Sequence, residues 1–139
     1  MSARIAITVS ATTRDELVSA LRVLVFANVL WLRSRQSTRE SVPPIYSSGV
    51  LFRPEPQEGS GVELYQTIPE VLAQGWGDCD DVTGWRCAEL IAQGVEGVDV
   101  ALVSRGPRTW HAVVKWPDGR VEDVASRLRI MEVSKWRRS

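Results

Sequence analysis

Trp110-His111-Ala112-Val113-Val114-Lys115-Trp116-Pro117-Asp118-Gly119-Arg120-Val121-Glu122-Asp123 is the stretch on which the fold class turns. Its β-branched and aromatic residues predict a strand over Thr109 to Trp116, and Pro117-Asp118-Gly119 turns the chain into another, Arg120 to Ala125. Just upstream, Val98 to Ser104 reads as a strand and Arg105-Gly106-Pro107-Arg108 as a turn, so three strands form an antiparallel meander. A three-residue loop, with a type I turn at Pro117-Asp118 and a left-handed Gly119, sets Trp116 opposite Arg120. Val113 then lies opposite Asp123, and His111 and Asp123 are diagonal neighbours on one face, roughly 7 Å apart at Cβ. A two-residue Asp118-Gly119 loop would put Glu122 on that face instead, which makes Glu122 the alternative partner of the histidine.

His111 is the only histidine, and a second segment explains why it draws notice. Gly77-Asp78-Cys79-Asp80-Asp81 opens a helix over Cys79 to Gln93, with Asp78 as N-cap and Gly94 as its end. A thiol there faces the positive end of the helix dipole and unpaired N–H groups, which favour thiolate and suit an oxyanion formed by attack on a carbonyl. Gly75 and Gly77 are expected to let the backbone approach a substrate closely. Asp78, Asp80 and Asp81 act the other way, raising the thiol pKa unless a cation such as protonated His111 outweighs them.

These pieces resemble the transglutaminase-like branch of the papain-like cysteine protease superfamily. Gly77-Asp-Cys79-Asp-Asp81 opens a helix, Trp110-His111-Ala-Val-Val-Lys-Trp116 forms a strand, and Val121-Glu-Asp123 ends the next, over about residues 67–126. The resemblance implies an α+β fold with a Cys-led helix packed on an antiparallel meander. It also implies a Cys79–His111–Asp123 triad and acyl transfer or hydrolysis on a peptide, isopeptide, glutaminyl or glycan amide. Papain-type enzymes carry an oxyanion-hole glutamine six residues before the cysteine. Here Gln74 is five before, and it reads equally as that donor or as an exposed helix residue. Trp76 and Trp110 line a substrate groove on one reading and furnish core on the other. The layout, with Ile68-Pro-Glu-Val-Leu72 before Gly-Asp-Cys, also resembles genes of tailed bacteriophages. That suggests a phage or prophage origin, a phage structural protein as partner and association with virions, and it supplies the rival reading of a catalytically inactive assembly module.

The rest of the chain frames this core. Its 139 residues suit one domain. Thr13 and Glu16 have capping-box spacing, and the apolar run from Leu17 to Leu32 carries a helix over about 14–35. Arg22, Asn28 and Ser19 interrupt that run, so a buried helix covered on most sides is expected rather than a membrane span. Arg4 to Ser10 reads as a short edge strand or a frayed end. From 36 to 66 the chain is loop-rich, with Pro43-Pro44, Pro54, Pro56 and Gly59-Ser-Gly61 barring a long helix. Thr67 and Glu70 repeat the capping-box spacing before a short helix ended by Gly75, and 127–139 is read as a C-terminal tail whose basic run Lys135, Arg137 and Arg138 is a solvated end without a role.

Composition excludes several classes. Lysine plus arginine equals aspartate plus glutamate at 17 each, so no global field recruits nucleic acid or a membrane surface. Cys79 and Cys87, about 12 Å apart along one helix, are expected to be free thiols, and Cys87 to be core. With no secretory leader legible at the start, a reducing cytoplasmic setting is expected. No cofactor or metal is expected. Val82 and Thr83 fall where an EF-hand-like loop needs a ligand and a glycine, and the two cysteines lie about 80° apart around the helix, too far to share one zinc.

Overall fold

A computed structural model describes residues 6–10, 13–54, 62–107 and 109–138. The expectations placed on Arg4, Pro56, Gly59–Gly61 and Arg108 lie outside those residues. In chain order the elements are β1 (Ala6–Ser10), α1 (Arg14–Ser37), a 3-10 turn (Ile45–Ser47), β2 (Leu51–Phe52), β3 (Val62–Gln66), α2 (Ile68–Gln74), β4 (Trp76–Gly77), α3 (Cys79–Ala92), β5 (Asp99–Ser104), β6 (Trp110–Lys115), β7 (Val121–Glu122) and α4 (Val124–Arg138). The chain is thus a mixed α and β protein with small sheets. The meander β5-β6-β7 is joined by an antiparallel β1–β3 pair and a parallel β2–β4 pair.

Helix α3 is the centre of the molecule. Asp78 accepts from the N–H of Asp81 while Asp81 accepts from the N–H of Asp78, a reciprocal capping box. Trp85, Val82, Ala88 and Cys87 are buried between α1 and the meander, joined by Leu21, Leu24, Val25 and Val29 of α1 and by Val100, Leu102, Ala112 and Val114 of the strands. Gly84 permits this approach, since a Cβ there would come within 2.7 Å of Leu24. On the other side α4 seats Val124, Ala125 and Leu128 in the same core.

The expected hairpin register holds. Lys115 pairs with Val121 and Val114 with Glu122, Trp116 donates to the carbonyl of Arg120, and Gly119 (φ 91°) donates to that of Trp116. Its extent does not. The third strand was expected to reach Ala125, but it ends at Glu122 because Asp123 turns its carboxylate back to the N–H of Ser126 and caps a new helix. The residues expected to form a C-terminal tail are therefore most of α4. Val124, Leu128 and Met131, at helical spacing behind an aspartate, were the available signal.

Two further expectations change. Thr67 makes no side-chain cap on α2. The helix start is instead satisfied from 40 residues away, where the buried Asn28 accepts from the N–H of Ile68 at 2.9 Å. Nor is α1 covered on most sides. It is the one described helix long and apolar enough to cross a bilayer, and it does bury Leu21, Leu24, Val25, Asn28, Val29 and Leu32. Val23, Phe26 and Leu30 nevertheless stay 56%, 64% and 53% exposed.

Candidate active site

The site forms where the start of α3 meets β6. Thr83, one turn into the helix, donates its hydroxyl to the carbonyl of Ala112 at 3.2 Å, and the N–H of Ala112 is directed at the thiol of Cys79. Thr83 thus holds α3 against β6 at the residue immediately after His111, with Cys79 one turn earlier in the helix. β7 is too short to pair there, so the helix takes the place of a neighbouring strand.

One residue earlier in β6, His111 Nε2 lies 2.8 Å from Asp123 Oδ1. The same oxygen accepts from the N–H of Ser126 at 3.1 Å, and Oδ2 accepts from Arg105 at 3.1 Å. Burial disfavours the charge on Asp123, but the bonds from His111 and Ser126 more than offset it and hold the carboxyl below its ordinary range. Because Asp123 takes Nε2, the nitrogen left to exchange a proton is Nδ1.

Glu122 is not the partner of His111. It points to the opposite face and accepts from Tyr46, from Arg86 Nε at 2.7 Å and from Trp116 Nε1 at 3.1 Å. Arg86 also pairs with Glu89 at 2.8 Å, and Glu89 accepts from the N–H of Ile45. This cluster pins the 3-10 turn to α3 and β7.

The residues expected around the thiol fall differently. Gln74 Nε2 donates to Gln66 Oε1 and, at 2.7 Å, to the carbonyl of Trp76, so both of its amide hydrogens serve the loop and neither is left for an oxyanion. Gly77 is buried, and a Cβ on it would meet Asp81 at 3.0 Å and Val82 at 3.2 Å. Its missing side chain lets β4 lie on α3 rather than admitting a substrate. Trp76 and Trp110 are each 38% exposed, and the Arg14 guanidinium stacks over Trp110. Gln66 was missed: its N–H donates to Asp81 Oδ1 at 2.8 Å, tying β3 to the start of α3.

The thiol itself is less acidic than its position suggested. Burial pushes the Cys79 pKa up, Asp80 adds to this, and Asp78 and Asp81 contribute less, with the Ala112 N–H opposing them. Burial and the neighbouring carboxylates thus favour the neutral thiol over the thiolate. Alkylation of Cys79 by iodoacetamide should rise about tenfold per pH unit from 7 to 9 without a plateau. Burial pushes the pKa of Cys87 up as well, so the two thiols differ chiefly in access: Cys87 is 1% exposed and should react at least about tenfold more slowly than the partly exposed Cys79 at each pH. Peptide-resolved mass spectrometry measures both rates, and a plateau for Cys79 near neutrality would show that the ion pair exists at rest.

Comparison with family models, with curated proteins and with solved structures finds no match to this chain.

Proposed function

We propose that the chain is a thiol acyl-transfer enzyme, a cysteine peptidase or amidohydrolase with a papain-like or transglutaminase-like core, in which Cys79, His111 and Asp123 act together. The observation that carries this reading is the 2.8 Å His111–Asp123 contact at the strand position whose next residue directs its N–H at Cys79.

With a neutral thiol at rest, proton transfer accompanies attack. The Cys79 proton passes to His111 Nδ1 as sulfur bonds to the carbonyl carbon of an amide or isopeptide. The resulting oxyanion is stabilised at the start of α3, where the N–H of Cys79, at the first helical position, has no intrahelical acceptor. Collapse breaks the C–N bond, and the leaving amine takes the proton from Nδ1. Water or an amine then resolves the thioester by the same steps in reverse. Asp123 holds the ring and stabilises its cation without accepting the proton. No step calls on a cofactor, and the substrate is a protein or peptide.

The rival reading, an inactive phage assembly module on the same fold, draws on the raised thiol pKa and on the three carboxylates around Cys79. Intact-mass analysis after incubation with an electrophilic peptide probe separates the two. The enzyme reading expects one adduct on Cys79, formed at least about tenfold more slowly in His111→Ala. An absent adduct, with partner assembly retained in Cys79→Ala, would favour the module.

A further inference from the structure

The outer stripe of α1 plays no part in the thiol site. Val23, Phe26 and Leu30 are more than half exposed, and their spacing of three and then four residues is that of a two-helix seam. Beside them, Val25, Phe26 and Val29 of α1 face Cys87, Ile91 and Val98 across a groove of about 350 Å³ with Arg22, Arg33 and Asp99 at its margins. Phe26 belongs to both the stripe and the groove wall.

We infer that this face is a self-association surface on which the α1 helices of two copies pack antiparallel about a two-fold axis near Phe26. Charge complementarity selects both the occupant and the direction. The first turn of α1 is net acidic, with Asp15 and Glu16 beside Arg14, whereas its other end is net basic, with Arg33, Arg35 and Arg39 against Glu40, Arg33 and Arg39 being exposed. An antiparallel pair brings the acidic start of each helix against the basic exit of its partner, with the helix dipoles opposed; a parallel pair would set like charges together. Each Phe26 then lies at the other copy's groove, and each Leu30 near the other's Val23.

The size of the patch sets the strength. Three side chains and one groove wall amount to a few hundred Å² of apolar surface, enough to mark an interaction site. This is below the roughly 800 Å² per partner of a standard stable interface, so the association expected is weak and reversible.

Sedimentation equilibrium of the full chain from about 1 to 500 µM is the test. Wild type should pass from monomer to dimer across that range, and Phe26→Asp or Val23→Lys should weaken association at least tenfold while the circular dichroism spectrum and melting are kept, since both side chains are largely exposed. Arg39→Glu should weaken it less, and adding Asp15→Lys should restore it, which a parallel pair or unspecific adhesion would not do. A wild type that stays monomeric throughout, association unchanged in Phe26→Asp, or a monomer whose Phe26-dependent binding is to phosphatidylcholine vesicles would each overturn the inference.

Discussion

Cys79→Ala should abolish turnover of any amide or ester that the wild type processes, a loss on the order of 10⁴-fold or more, and adding His111→Ala should cost almost nothing further. The thiol and the imidazole do one job, so removing either removes the covalent route. Folding should barely change, by about 1 kcal/mol or less, because Cys79 is only half-buried at the rim of the core. The replacement also keeps the Asp78–Asp81 capping box that starts α3. Steady-state kinetics on a panel of peptide amides and esters, paired with urea unfolding, checks both halves. Activity surviving in Cys79→Ala would end the thiol mechanism, and a large stability loss with no activity in wild type would make Cys79 a packing residue.

The second large effect divides two adjacent carboxylates. Asp123→Asn should lower kcat by about 10³ to 10⁴-fold with little loss of stability. The amide can still cap α4 through the N–H of Ser126 but cannot hold the Nε2 proton as a charged partner. Glu122→Gln should do the reverse, leaving chemistry at His111 nearly intact while costing about 1–3 kcal/mol, because Arg86 loses one of its two carboxylate partners in a largely buried cluster and keeps only Glu89. The pH dependence follows the same division. Burial works against the charge on Glu122, but Tyr46, Arg86 and Trp116 outweigh it and hold the carboxyl below its ordinary range. A depressed pKa stabilises the fold above the unfolded value of about 4.3 and ceases to do so as pH falls through the folded value. Wild-type stability should therefore drop below about pH 4, and Glu122→Gln should flatten that part of the curve. Denaturation curves from pH 3 to 8, with kcat for both variants, decide the matter. A variant at Glu122 that loses chemistry and keeps stability would reverse the assignment.

Much of the site was legible because its geometry is local. The turn at Pro117-Asp118-Gly119 dictates which residues of β6 and β7 share a face, so the meeting of His111 with Asp123 follows from one loop of known type. Asp78 before Cys79 dictates where α3 begins. Gln74 was less legible, because whether an amide hydrogen is free depends on Gln66, which arrives from β3. Gly77 misled for a similar reason: a glycine beside a cysteine suggests access for a substrate, but the neighbour that needs the space is α3 itself.

By itself, then, the sequence determined the positions of α1, α2 and α3, the antiparallel meander and its register, and the placing of a thiol at a helix start. Each rests on capping, turn chemistry or residue period, which act over a few bonds. Tertiary structure alone decided which side of α1 is covered, that Asn28 rather than Thr67 caps α2, and that burial works against the charge on the Cys79 thiol. It also decided that Asp123 serves the histidine and a new helix at once. Those outcomes depend on which distant groups come together and how much water they exclude. Desolvation and long-range hydrogen bonds have no period along the chain from which they could be read.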